Sequence, residues 1–264
     1  MKPQNIIFMD IDGTLIIRDH IPLSAIKSIQ KTRAKGNLVY LCTGRSLAEI
    51  GDIKNIGFDG IIGGGGCYIE SHDTIVDHFT FDLKDIEFLK SYLDEHQVHY
   101  YLECNDGIYC HQSVKDFMAE EIFHGETSSF LDLLNPIEKC SLENVNKISF
   151  ISPFYPYQEI AKELNKYHLV KASWGPNLQE AGEISLEGVN KAAAIKKLLE
   201  YLKLDSIKTY AFGDSMNDVE MFESVDVAIA MGNYSHGIEK YADFITKDAL
   251  DDGIAFAMEK YELI

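Results

Sequence analysis

A short apolar run, Asn5 to Met9, halts at Asp10. Its length and polar flanks predict a strand. From Pro22 to Lys35, Ile26, Ile29 and Arg33 recur at helical spacing, and Gly36 suits the C-terminal cap of that helix. Asn37 to Cys42 predicts a second strand, followed by Thr43-Gly44-Arg45, and Ser46 can cap another short helix. Ile61-Ile62 opens a third apolar stretch before Gly63-Gly64-Gly65-Gly66. The same rhythm returns far along the chain. Lys191 to Lys203 is strongly helical, with Ile195, Leu198, Leu199 and Leu202 on one face. Lys208 to Phe212 predicts a strand ending at Gly213-Asp214, with a helix near Asp218 to Glu223. Asp226 to Ala230 predicts a further strand, and a last helix runs from about Asp252 to Tyr261.

Strand–helix–strand alternation of this kind builds a parallel sheet covered by helices on both faces. The expected class is α/β, a doubly wound, Rossmann-like core assembled from residues 1–81 and 188–264. Ligands of such sheets bind beyond the carboxyl ends of the strands, where Asp10 and Thr43 both fall. Residues 82–187 carry their own elements. Leu83 to His96 predicts a helix. Val98 to Glu103 and Ile108 to His111 predict strands around the hairpin signal Asn105-Asp106-Gly107. Further candidates lie at Val114 to Phe123, Lys147 to Ile151 and Tyr157 to Tyr167. That is too much structure for a crossover loop, and it predicts a second α/β domain inserted into the first.

Composition narrows the partners. The formal net charge is -18 over 264 residues. Such a surface repels nucleic acid and anionic membranes, which need Lys and Arg to displace counterions. No apolar run is long enough to span a bilayer, and no secretory signal pattern is present, so cytoplasmic residence is the expectation. The five cysteines include no C-x-x-C pair, which favours buried or idle thiols over a disulfide framework or zinc site. The lone Trp174, before Gly175-Pro176, reads as a turn or packing residue. Tyr100, Tyr101 and Tyr109 fit strand packing and a sugar pocket equally well.

The chemistry concentrates in four places. In Asp10-Ile11-Asp12-Gly13-Thr14 the two carboxylates stand two residues apart, so an extended chain aims both at one site. One can act as nucleophile and the other as acid or base. An acidic turn after a strand is the plainer alternative. Thr43-Gly44-Arg45 offers a hydroxyl, a close-approach backbone and a cation, each suited to a phosphate oxygen. Lys191 stands where a helix begins, and a point charge beside free N–H groups favours an anion, although a lone lysine there is commonly just solvated. Gly213-Asp214-Ser215-Met216-Asn217-Asp218 sets acids at a strand end, which suits a hard cation or simply a helix N-terminus.

In this order the four motifs resemble those of the haloacid dehalogenase superfamily, and the long insertion resembles the type IIB cap of its Cof-type branch. Gly188-Val189-Asn190-Lys191, Ala230-Met231-Gly232-Asn233 and Asp251-Asp252-Gly253-Ile254 agree with that branch, so the resemblance covers essentially the whole chain. It implies a phosphatase that acts on a small phosphorylated metabolite, sugar phosphates above all, through an aspartyl-phosphate. In that reading Asp10 is the nucleophile and Asp12 the acid/base. Thr43 and Lys191 hold the phosphoryl group, with Gly44, Arg45 and Asn217 beside it. Asp10, the Asp12 carbonyl, Asp214 and Asp218 serve Mg²⁺. Relatives carry Asn-Gly-Ala where this chain has Gly65-Gly66-Cys67, and Ser is common at the place of Asn190. A halide would leave without protonation, so the second acid, Asp12, favours phosphate esters over haloacids. Two other readings remain open. A phosphomutase or phosphotransferase would use an alcohol in place of water. A receiver-type phosphoacceptor uses similar residues without turnover, but such domains are about one small domain in size.

Overall fold

A computed structural model describes residues 3–18, 20–172, 180–204 and 206–264. The expected turn at Trp174-Gly175-Pro176 lies outside the described residues. In chain order the first elements are β1 (Asn5–Met9), α1 (Leu23–Ala34), β2 (Leu38–Cys42), α2 (Leu47–Ile50), β3 (Gly60–Gly63), β4 (Tyr68–Ser71) and β5 (Thr74–His78). Then come α3 (Leu83–Glu95), β6 (His99–Cys104), β7 (Gly107–Cys110), α4 (Gln112–Phe117), α5 (Ser129–Leu133) and β8 (Leu134–Pro136). These are followed by β9 (Lys147–Ser152), α6 (Tyr157–Glu163), β10 (Tyr167–Lys171) and β11 (Glu180–Leu186). The last stretch holds α7 (Lys191–Leu202), β12 (Lys208–Gly213), α8 (Val219–Glu223), β13 (Val227–Ala230), β14 (Phe244–Ile245) and α9 (Gly253–Lys260). The chain divides into two compact units: residues 1–44, 52–78 and 190–264, and residues 45–51 with 79–189.

The first unit is built on an eight-stranded sheet in the order β14-β13-β12-β1-β2-β3-β4-β5. From β14 to β3 all neighbours are parallel, whereas β4 and β5 add an antiparallel edge. Residues 6–9 of β1 and all four of β13 are buried, as strands covered on both faces must be. The chain winds outward from β1 through β2 and β3, then returns to β12 on the other side of β1. The switch in winding direction therefore falls between β1 and β12, where the carboxyl ends diverge and leave a crevice.

Helix α1, expected over Pro22 to Lys35, runs from Leu23 to Ala34 beside β2. Ala25, Ser28, Ile29 and Thr32 are buried, while Arg33 turns outward and makes a two-pronged ion pair with Asp59, at 3.0 Å and 2.7 Å. Small polar residues can take the inward positions because Thr32 Oγ1 accepts a 2.9 Å hydrogen bond from Asn37. Gly36 lies just past the helix at φ 90, the left-handed turn expected of it.

The second unit carries a six-stranded sheet in the order β10-β11-β9-β6-β7-β8. Its neighbours are antiparallel except β7 and β8. Cys104 pairs with Gly107, so the hairpin turn is Asn105-Asp106 and the glycine opens β7. Alternation along the strands sorts the side chains by face. Tyr100, Leu102, Ile148, Phe150 and Ile184 enter one apolar core together with Tyr109. Tyr101 enters a second core on the other face, so all three tyrosines are packing residues within this unit. The second face also holds a buried charge group. Lys147 lies across from Glu103 at 3.2 Å and also reaches Glu183 at 3.3 Å. Ser149 donates to Glu103 at 2.6 Å. Burial pushes the Glu103 carboxyl up to about 8 against the pull of Lys147, with Glu49 and Glu183 adding repulsion.

Candidate active site

Because residues 6–9 of β1 are apolar, the strand is driven into the middle of the sheet, and Asp10 is the first charged residue beyond it. The Asp10 N–H still continues the ladder, donating to Phe212 O at 3.0 Å. The chain then folds back sharply. The Ile11 carbonyl accepts from the N–H groups of Leu15 and Ile16 at 2.9 Å and 2.8 Å, and Ile11 and Leu15 are fully buried as anchors. Gly13 sits at φ 80 within this loop, and a Cβ there would run into the Asp214 carboxylate. Glycine is thus required twice, for the backbone angle and for the approach of the second acid.

Asp214 follows β12 directly. The next residues form a reciprocal cap in which the Ser215 side chain takes the Asp218 N–H and Asp218 returns to the Ser215 N–H. Asp218 is fully buried, and its Oδ2 accepts from the backbone of Asp214 at 3.0 Å and of Ser215 at 3.3 Å. Its other oxygen faces Lys191. That lysine is the first residue of α7, whose N-terminus Asn190 caps by accepting from Ala193 N at 2.8 Å, the service a serine would give. Gly66 fits against the Asn190 backbone, where any Cβ would collide, so the glycine run serves close approach.

Lys191 is 4% exposed, and its Nζ donates to Asp10 Oδ1 at 2.8 Å and to Asp218 Oδ1 at 2.6 Å. Buried ammonium groups ordinarily lose their proton readily. Here burial opposes the charge, but Asp10 and Asp218 outweigh it and the lysine is held protonated. Carboxylate oxygens of Asp10, Asp214 and Asp218 lie within 4.8 Å of one another. Three buried carboxylates around one ammonium leave an excess of negative charge. Burial, then the charge of Asp218, pushes the Asp10 carboxyl well above the usual range, and the same two causes push Asp214 up to about 7. A compact, oxygen-lined, over-negative pocket fits a divalent cation, which would relieve that repulsion.

Asp10, Lys191, Asp214 and Asp218 come together through the contacts above, and the exposed Asp12 is close enough to raise the Asp214 carboxyl further. Thr43 is buried just past β2, with its N–H on Ile62 O at 2.9 Å, and Gly44 follows it, half-buried. Arg45 belongs to the second unit, where it donates to Glu49 O at 3.4 Å. Asn217 is exposed and accepts from Ser215 Oγ at 2.5 Å. Two supporting residues went unassigned in the sequence. Thr14, fully buried, donates to Asp214 at 3.4 Å. Asn233 donates to Gly13 O at 2.7 Å and accepts from Ala249 N at 2.9 Å, tying the loop after Asp10 to the far end of the chain. Both stand inside matched motifs, which was the available signal.

A Rossmann-like sheet with buried acids and a lysine at its switch point is an arrangement suited to phosphoryl transfer. The chain belongs to the haloacid dehalogenase-like hydrolase family, whose profile matches residues 7–258. Among its relatives, YkrA of Bacillus subtilis (strain 168), whose name proposes a phosphatase, is 29% identical over 271 residues, 98% of each chain. A Streptococcus pyogenes serotype M6 protein is 25% identical over 288 residues; its name proposes a phosphatase joined to a peptidyl-prolyl cis-trans isomerase. This chain is covered completely in that match but spans only 55% of that longer protein. A solved haloacid dehalogenase subclass IIB sugar phosphatase shares the fold, with a TM-score of 0.78 at 23% identity over 98% of this chain and 100% of that one.

Proposed function

We propose that this chain is a magnesium-dependent phosphatase of small phosphate monoesters, with sugar phosphates the favoured substrates. The observation that carries the reading is the buried contact of Lys191 with Asp10 and Asp218, with Asp214 alongside, at the carboxyl ends of β1 and β12. Asp10 attacks phosphorus and becomes an aspartyl-phosphate. Asp12 gives a proton to the departing alkoxide, then takes one from the water that attacks the phospho-Asp10. Lys191 and the Thr43 hydroxyl hold the phosphoryl oxygens and offset their charge. Asp10, the Asp12 carbonyl, Asp214 and Asp218 would hold Mg²⁺, which would supply charge neutralisation between two anions. Residues 82–187 are the cap that selects among leaving groups. The sugar-phosphatase reading has its support in the name of the solved subclass IIB structure and in the Asp12 acid.

A panel of phosphorylated metabolites, assayed for free phosphate with and without chelator, tests the proposal. Phosphate release from sugar phosphates that chelator abolishes and added Mg²⁺ restores is the expected result. Transfer to an alcohol acceptor without free phosphate would make the enzyme a phosphotransferase. Full activity after exhaustive metal removal would refute the cation's role.

A further inference from the structure

The cysteines of this chain follow no pairing motif, yet folding brings two of them together. Cys104 ends β6 and is fully buried, whereas Cys140 follows the turn Ile137–Lys139 and is half-buried. Their sulfurs stand 3.8 Å apart across 36 residues of sequence, both within the second unit. Cys140 packs against the apolar core that Cys104 helps to form, so both residues have fixed surroundings. A disulfide requires a sulfur separation of about 2 Å, so the two groups need close by only a side-chain adjustment. Cys140 lies at a half-exposed turn, where such an adjustment is least costly.

We propose that Cys104 and Cys140 form a reversible disulfide site, oxidised by low-molecular-weight disulfides, that pins the end of β6 to the turn after residue 139. Cys140 acts first. It is the more accessible sulfur, half-buried where Cys104 is fully buried. Lys90 also favours the Cys140 thiolate, whereas Asp106, in the hairpin turn, opposes both thiolates. The Cys140 thiolate attacks one sulfur of the reagent disulfide, forms a mixed disulfide and expels one thiolate. Cys104 then gives up its proton and attacks the Cys140 sulfur, expelling the second thiolate. The protein loses two protons and two electrons, and the reagent disulfide becomes two thiols.

The test uses the whole folded protein, fully reduced and then exposed to oxidised glutathione without denaturant. Thiol titration should show two of the five cysteines consumed. Mass spectrometry should show a loss of two hydrogens and a peptide linking Cys104 to Cys140. The melting midpoint should rise by about 5 °C or more and return on reduction. Cys104→Ser should trap glutathione on Cys140, whereas Cys140→Ser should leave Cys104 unmodified. Cys110→Ser, which leaves the pair in place, should cross-link as the wild type does. Retention of all five thiols in the folded wild-type protein overturns the proposal. So does a cross-link to another cysteine, or one that forms only after unfolding.

Discussion

Asp218→Asn replaces one oxygen of a fully buried side chain by NH₂ and keeps its shape, so its effect reads the hydrogen bonds and the charge without a packing change. The carboxylate has donors on both sides: Lys191 Nζ at 2.6 Å on Oδ1, and the N–H groups of Asp214 and Ser215 at 3.0 Å and 3.3 Å on Oδ2. An amide has one acceptor end. If its oxygen faces the backbone, its NH₂ meets the ammonium of Lys191. If it is flipped, the NH₂ meets two N–H groups. Either orientation sets donor against donor in a site without solvent. A charged hydrogen bond contributes about 1.5–3 kcal/mol, and a stranded buried donor costs about 1–3 kcal/mol more. Removing one of three clustered carboxylates offsets part of that, so we expect a net loss of about 2–3 kcal/mol, below the ~3–5 kcal/mol of a fully broken buried pair. Urea denaturation of metal-free protein measures it. Lys191 then leans on Asp10 alone and the Asp214 turn loosens. Because a displacement of about 1 Å costs on the order of 10²-fold in rate, kcat/KM should fall by roughly that factor. Stability within about 0.5 kcal/mol of wild type, together with unchanged turnover, would refute the assignment of Asp218 as the residue that positions Lys191 and Asp214.

Other expectations follow from neighbouring residues. Asp12→Asn should cut sugar phosphate hydrolysis by about 10²–10⁴-fold, while p-nitrophenyl phosphate, whose leaving group needs little protonation, should give a burst of nitrophenol and then slow turnover. Equal losses on both substrates would remove Asp12 from proton transfer. Gly13→Ala forces a Cβ toward the Asp214 carboxylate at φ 80. Calorimetric Mg²⁺ affinity should drop by about tenfold or more, from strain on the order of 1–3 kcal/mol, and unchanged affinity would show that Asp214 need not stand there. Glu103, raised from 4.5 to about 8, binds more protons in the folded chain than in the unfolded chain between those values. Its contribution to stability therefore falls as pH rises through that window. Urea midpoints taken at about pH 5 and about pH 8 should differ less in Glu103→Gln than in wild type; an identical pH slope in both would count against the burial argument.

Much of the first unit was legible from local signals. The apolar runs that became β1, β2, β12 and β13 are short and bounded by acids, glycine or threonine, and a strand buried on both faces needs little more than such a run. The ends of those strands carried the chemistry, so Asp10 and Asp214 could be paired through topology before any distance was known. Helix α1 and its buried Ile29 follow from helical spacing, whereas the inward place of Thr32 depends on Asn37, which donates to its hydroxyl only once the chain has folded. The antiparallel edge of β4 and β5 was missed, since an edge hairpin has no helix to announce it.

The sequence by itself determined the α/β class and marked the acids and the lysine that folding brings together, because each is written in runs or motifs a few residues long. Only the tertiary structure decided what depends on residues far apart in the chain. A lysine at a helix start, marked as a phosphate-binding candidate, became a buried one only when folding set Lys191 against Asp10, 181 positions away. Its charge state, the raised acids, the support from Thr14 and Asn233, and the meeting of Cys104 with Cys140 all follow from long-range packing. Burial and the electrostatic field in a low-dielectric interior are sums over neighbours, and the chain acquires those neighbours only when it folds.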